Sequence, residues 1–170
     1  MKKPFKKSIY LCGFMGCGKS YLGKKLANDL NMQFIDLDEY IVKNEGMSIP
    51  DIFDKYGEGY FRKLEVKYIR KLNNNYVVAT GGGAMINNNT SAFAKENGSV
   101  VFLNASFEIC YNRIKNDKNR PLVMNNTKSQ LLTLYEKRKP IYEKNSSLII
   151  NADNDEEAVI NNIKKGLYDN

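Results

Sequence analysis

Eight residues near one end of the chain, Gly13-Phe14-Met15-Gly16-Cys17-Gly18-Lys19-Ser20, follow the Gly-x-x-x-x-Gly-Lys-Ser/Thr pattern of a loop that binds phosphate. Gly13, Gly16 and Gly18 permit positive backbone dihedrals and close approach, so successive N–H groups can converge on the terminal phosphates of a nucleotide. Lys19 supplies a mobile point charge for those phosphates, and the Ser20 hydroxyl is placed to ligate magnesium. Cys17 within the loop and Tyr21 just after it are grouped with these residues as nucleotide contacts.

A second cluster follows at Asp36-Leu37-Asp38. Two carboxylates two residues apart at a strand end share a side while the backbone stays extended. Asp36 is a candidate for magnesium, directly or through water, and Asp38 for contacting or deprotonating a substrate hydroxyl. Asp38 has a plainer alternative, as the cap of a helix opening near Glu39.

Arginine marks the remaining candidates. Five occur against twenty-one lysines: Arg62, Arg70, Arg113, Arg120 and Arg138. If lysine is supplied wherever a bare positive charge suffices, arginine points to places that need a planar, bidentate fork. Arg62 sits three residues before Glu65, a spacing that on an exposed helix gives an ion pair worth well under ~1 kcal/mol. Its neighbours Phe53, Tyr60 and Phe61 argue instead for a partly apolar wall with a guanidinium reaching over it. Arg120 lies in the polar run Asn116 to Leu122, a candidate lid from which it can swing onto a transferring phosphoryl group. Arg113 at the stem can stack on an adenine ring. Gly81-Gly82-Gly83 offers bare backbone N–H groups to a ligand, with a loose turn as the alternative.

The elements that must position these residues alternate between strand and helix. Ser8–Cys12 reads as a buried strand ahead of the loop, and Leu22, Leu26, Ala27 and Leu30 recur at helical spacing behind it. Met32–Ile35 is a second short strand. From Glu39 to Leu72 the chain reads as helical pieces broken near Gly46 and near Gly57-Glu58-Gly59, with Ser48 and Asp51 resembling a capping box for Ile49–Tyr56. Tyr76–Thr80 is a strand that runs into the three glycines, and Ser99–Leu103 is a fourth. A helix with Phe107, Cys110, Tyr111 and Ile114 on one side comes next, and then one from about Ser129 to Tyr142. Ser147–Asn151 is the last strand. Glu156–Leu167 closes the chain as an amphipathic helix with Val159, Ile160, Ile163 and Leu167 inward. This alternation predicts an α/β fold with a five-stranded parallel sheet flanked by helices on both faces.

The 170 residues suit one domain with a sizeable core, stable without disulfides. Cys12, Cys17 and Cys110 are expected as reduced thiols. The absence of histidine excludes Ser-His-Asp and Cys-His nucleophilic machinery and histidine-based zinc hydrolases. Neither a membrane helix nor the apolar region of a signal peptide is legible, which points to the cytoplasm. The net charge of +7, with Lys2-Lys3 and Lys6-Lys7 as a possible basic arm, raises nucleic-acid binding. The scatter of the lysines argues against it, and a positive field equally suits an anionic nucleotide and an anionic substrate.

Taken together, the phosphate loop, Asp36-x-Asp38, Phe61-Arg62-x-x-Glu65, Gly81-Gly82-Gly83, Arg120-Pro121-Leu122 and Arg138-x-Pro140-x-Tyr142 resemble the shikimate kinase family in order and spacing, over nearly the whole chain. The resemblance implies a P-loop kinase fold with strand order 2-3-1-4-5, a small helical substrate-binding segment over about 36–72 and a mobile lid over about 115–127, within one domain spanning 1–170. It implies ATP- and magnesium-dependent phosphorylation of the 3-hydroxyl of shikimate, on the route to chorismate and the aromatic amino acids, while a chain of this size, stable without oligomerisation, is expected to be a monomer. Carried over, Asp38 holds the reacting hydroxyl and is placed to take its proton. Arg62, Arg138 and the Gly82 N–H clamp the carboxylate, with Gly81 and Gly83 beside it. Phe53 and Phe61 line the ring pocket, and Glu65 steadies an arginine. Lys19 and Arg120 stabilise the transferring phosphoryl group, Arg113 is a nucleotide contact, and Ser20 and Asp36 hold magnesium. A gluconate or nucleoside monophosphate kinase shares the loop and lid but has no need of this carboxylate clamp. A nucleotide-dependent RNA-binding module has no need of Lys19 and Asp38 together.

Overall fold

The structure is a computed structural model that describes residues 6–169, so Lys2 and Lys3 of the basic run lie outside the described residues. Five strands form one sheet: β1 (Ser8–Cys12), β2 (Gln33–Asp36), β3 (Tyr76–Ala79), β4 (Gly98–Asn104) and β5 (Leu148–Asn151). Every neighbouring pair is parallel and the order is β2-β3-β1-β4-β5. The central strand β1 is buried along its whole length, as its unbroken apolar run requires when helices cover both faces. The chain leaves β1 toward β2 and later crosses back to β4, so the connections diverge at β1. That divergence opens a crevice at the carboxyl ends of the strands, where open parallel sheets bind ligands.

The helices are α1 (Lys19–Leu30), α2 (Leu37–Glu45), α3 (Ile49–Tyr56), α4 (Glu58–Ile69), α5 (Asn88–Asn97), α6 (Phe107–Ile114), α7 (Pro121–Met124), α8 (Lys128–Asn145) and α9 (Glu156–Asp169). α1 packs with α9, and α5 packs with α8 and on β4. The inward stripe of α9 is Val159, Ile160, Ile163 and Leu167, as its period predicts. None of the described helices is long and apolar enough to cross a membrane.

Three elements differ from the sequence reading. The stretch after the glycines, to which no element was assigned, folds as a tight 3-10 turn at Ala84–Ile86 and then α5. Its Asn-Asn-Thr-Ser start is a weak helix former. It holds because the Asn87 side chain accepts from the Asn89 N–H at 2.9 Å and Thr90, Ser91 and Ala94 are buried. The expected break around Glu58 is confined to Gly57, and Gly59 continues within α4. α8 extends further in both directions than residues 129–142. A complete capping box between Thr127 and Gln130 opens it, and Pro140 is accommodated inside it.

Several polar contacts fix the loop after β3. Thr80 donates through both its backbone N–H and its hydroxyl to the Leu11 carbonyl, at 3.1 and 2.7 Å, tying the end of β3 to that of β1. From α8, buried Tyr142 donates its hydroxyl to the Gly82 carbonyl, and Asn145 donates to the Met85 carbonyl at 2.8 Å. The three glycines therefore face the crevice from a braced backbone.

Candidate active site

The phosphate loop turns directly from β1 into α1. Gly16 and Gly18 have φ of 84° and 100°, a region costly for any residue with a side chain, so the glycines are a backbone requirement here. Lys19 folds back over the loop, with Nζ 2.7 Å from the Gly13 carbonyl oxygen and 3.2 Å from that of Phe14. The Arg113 guanidinium reaches the same loop from α6 and donates to the Gly16 carbonyl at 2.9 Å. Tyr21 differs from the grouping made for it. Its side chain is exposed and bonds Glu156 on α9, so only its backbone belongs with the loop.

All three cysteines are free and buried. Burial pushes the Cys110 thiol up to about 12 and raises Cys12 as well.

The two aspartates separate cleanly. Asp36, not Asp38, caps α2: its Oδ1 accepts from the Glu39 N–H at 3.1 Å while Oδ2 accepts from the Ser20 hydroxyl at 2.9 Å. Asp38 is left free for chemistry one helical step further on. Its Oδ1 is buried without a hydrogen-bond partner, and burial first, then the charge of Asp36, raises its pKa. Lys19, Arg62 and Arg120 pull in the opposite direction. The Ser20–Asp36 pair suits magnesium, which takes hard oxygen ligands and keeps several waters, so two protein oxygens beside a nucleotide's phosphates suffice. Among the described residues no group of three or more acidic or thiol side chains forms a self-sufficient metal cage.

Across the crevice, each of the three glycines faces a different functional side chain. A Cβ at Gly81 would stand 2.8 Å from Asp38 Oδ1, and one at Gly82 would stand 3.2 Å from Arg138 Nη1. At Gly83 it would overlap the Arg62 guanidinium. None of the three has a positive φ, so glycine is needed here for close approach rather than for dihedral freedom.

Arg62 pairs with Glu65 and, at 3.1 Å, with Glu58. The Glu65 side chain is 1% exposed and that of Glu58 65%, so the first is a buried charge pair and the second a surface one. Burial carries Glu65 up to about 7 despite the opposing pull of Arg62, and its Oε2 has no hydrogen-bond partner. Burial works against the Arg62 charge, yet Glu65 and Glu58 outweigh it and raise the guanidinium further.

The Phe61 ring lies 5.5 Å from the Arg62 guanidinium and 5.1 Å from Phe53. Together with Ile86, Asn87 and Arg138, Arg62 lines a cleft of about 250 Å³. Sequence reasoning missed Glu58, Ile86 and Asn87. Glu58 was readable as an (i, i+4) partner of Arg62. Asn87 carried no signal within an asparagine run. Arg120 pairs with Asp117 at 2.8 Å on its own segment, and its charge is felt at Asp38.

A phosphate loop set beside a buried carboxylate, with two guanidiniums beyond it, defines a P-loop kinase for a small anionic acceptor. The family profile of shikimate kinase matches residues 15–168, and the chain belongs to that family. A shikimate kinase from Sulfurihydrogenibium sp. (strain YO3AOP1) is 47% identical over 149 residues, covering 86% of this chain and 89% of that one. The structure of shikimate kinase from Acinetobacter baumannii in complex with shikimate matches with a TM-score of 0.86 at 35% identity, covering 94% of this chain and 91% of that one. That of shikimate kinase from Aquifex aeolicus vf5 matches at 0.82 and 40%, covering 94% and 95%. The chain is accordingly an enzyme that transfers phosphate from ATP to the 3-hydroxyl of shikimate, giving shikimate 3-phosphate and ADP. This identity decides against gluconate, nucleoside monophosphate and RNA as alternatives.

Proposed function

We propose a division of labour for this reaction among the residues around Gly81–Gly83 and the phosphate loop. Arg62 and Arg138, with the Gly82 N–H, clamp the acceptor's carboxylate, and Phe53 and Phe61 bound its ring. Glu65 positions Arg62. Asp38 accepts a hydrogen bond from the 3-hydroxyl and takes its proton as the new O–P bond forms, a role supported by its raised pKa and unpartnered oxygen. Lys19 leaves the loop carbonyls for the terminal phosphates, and Arg120 swings in from the segment over about 115–127 to stabilise charge on the transferring group. Arg113 and the loop N–H groups hold the nucleotide.

Ser20 and Asp36 would hold magnesium, which supplies charge neutralisation at the phosphate oxygens.

The observation that carries this reading is the meeting of Asp38, Arg62 and Arg138 on three consecutive glycines. ADP release with magnesium and ATP, measured with shikimate, quinate, gluconate and no acceptor, tests it. Shikimate-dependent release that Asp38→Asn abolishes is the expected result. Release undiminished by Asp38→Asn removes Asp38 from proton acceptance.

A further inference from the structure

Four of the five arginines belong to the site; Arg70 does not. It caps the C-terminal end of α4 with helical dihedrals, beside a second and larger cavity of about 690 Å³ lined by Arg62, Lys63, Lys67, Arg70, Asn87 and Asn89 among others. Lys63, Lys67 and Arg70 are four and then three positions apart, so they form one stripe along the helix. No carboxylate lines this cavity. Lys67 is compensated by Glu45 at 3.1 Å, and Arg62 by Glu58 and Glu65. Lys63 and Arg70 have no carboxylate partner among the described residues. Arg70 instead lies over the Phe93 ring at 6.0 Å, a contact that leaves its charge uncompensated. The cavity meets the smaller cleft at Arg62 and Asn87, which line both.

We propose that this stripe is a vestibule for the acceptor's carboxylate, in which Lys63 and Arg70 concentrate the anion before Arg62 and Arg138 take it. A concave wall of one charge sign focuses the field and raises local anion concentration, while two solvated cations hold any single carboxylate too weakly to retain it. Arg62 sits at the junction and serves both ends of the path. The inference rests on the Arg62–Arg138 clamp proposed above.

Steady-state kinetics of Lys63→Glu/Arg70→Glu against the parent test it, at low salt and at 0.5 M salt, with shikimate and then ATP as the varied substrate. The expected result is a fall in kcat/KM for shikimate of about fivefold or more at low salt, with kcat unchanged and the deficit closing at high salt as the charges are screened. The kinetic constant for ATP stays at its parent value. Lys24→Glu/Lys165→Glu, on α1 and α9, which pack on each other and on the sheet, changes the net charge by the same amount as the double variant and so controls for a uniform change of charge. Equal kcat/KM for parent and Lys63→Glu/Arg70→Glu at low salt overturns the vestibule, as does an equal fall in Lys24→Glu/Lys165→Glu or for ATP. Loss of turnover in Arg62→Ala and Arg138→Ala alongside an unaffected double variant separates failure of the vestibule from failure of the clamp.

Discussion

At the residue scale, the Arg62–Glu65 pair, buried at its carboxylate end, should not tolerate exchange of the arginine for a like charge if Arg62 holds the substrate. Lysine at position 62 keeps the charge but loses the fork that can address Glu65 and a substrate carboxylate together. Arg62→Lys should therefore weaken apparent shikimate affinity by about 1–3 kcal/mol, and an unchanged KM would remove Arg62 from the clamp. Glu65 adds a pH signature. Its folded pKa is about 7 against an ordinary 4.5, so between these values the folded protein retains a proton that the unfolded chain has released. Stability contributed by this proton is complete below the ordinary value and is lost as pH rises through the folded one, by up to about 3 kcal/mol. Denaturant midpoints at pH 5 and pH 8 should thus differ more in the parent than in Glu65→Gln. Parallel behaviour in the two would show that Glu65 does not titrate in this window.

At the element scale, the segment bearing Arg120 is held to its own turn by Asp117 and is read as the moving part. Arg120→Ala should lower kcat about a hundredfold or more while leaving shikimate binding nearly intact. A variant defective chiefly in shikimate binding would reassign the residue. The glycine run is the fixed counterpart. Gly83→Ala would press a methyl group against the far end of Arg62, which Glu65 and Glu58 pin in place, so the KM for shikimate should rise severalfold or more. Stability should change by no more than about 1 kcal/mol, because only a side-chain tip must yield. Equal kinetics in Gly83→Ala would mean that Arg62 has room the structure does not give it.

The same scale explains what could be read in advance. α1 and α9 were legible because burial on one face imposes a period on the sequence, β1 because burial on both faces gives it a nearly continuous apolar run, and the phosphate loop because its glycines, lysine and serine stand at fixed spacing. α5 was not, because its inward residues are Thr90, Ser91 and Ala94, too small and polar to register as an apolar stripe. Which of the two aspartates caps α2 was equally hidden, since either spacing satisfies a helix cap, and it is Asp36 that does so. The glycine run was marked for ligand access, whereas the groups that a Cβ on it would meet are the protein's own charged side chains.

At the scale of the whole molecule, nucleotide binding should report on folding. ATP with magnesium at about a hundred times its dissociation constant should add about 2.7 kcal/mol to stability, which for a chain of this size is a rise in Tm of roughly 5–11 °C. Lys19→Ala should abolish most of this rise, and a full shift in that variant would place the lysine outside nucleotide binding. Core and crevice are separable in such measurements because most of the buried apolar residues pack between the sheet and its flanking helices, while Asp38, Arg62 and Arg138 meet at the glycines beyond the strand ends. This separation exposes a particular weakness. A change such as Gly83→Ala would yield a chain that chaperones and proteases have no reason to recognise as damaged, so a cell would accumulate full amounts of an impaired enzyme instead of clearing it.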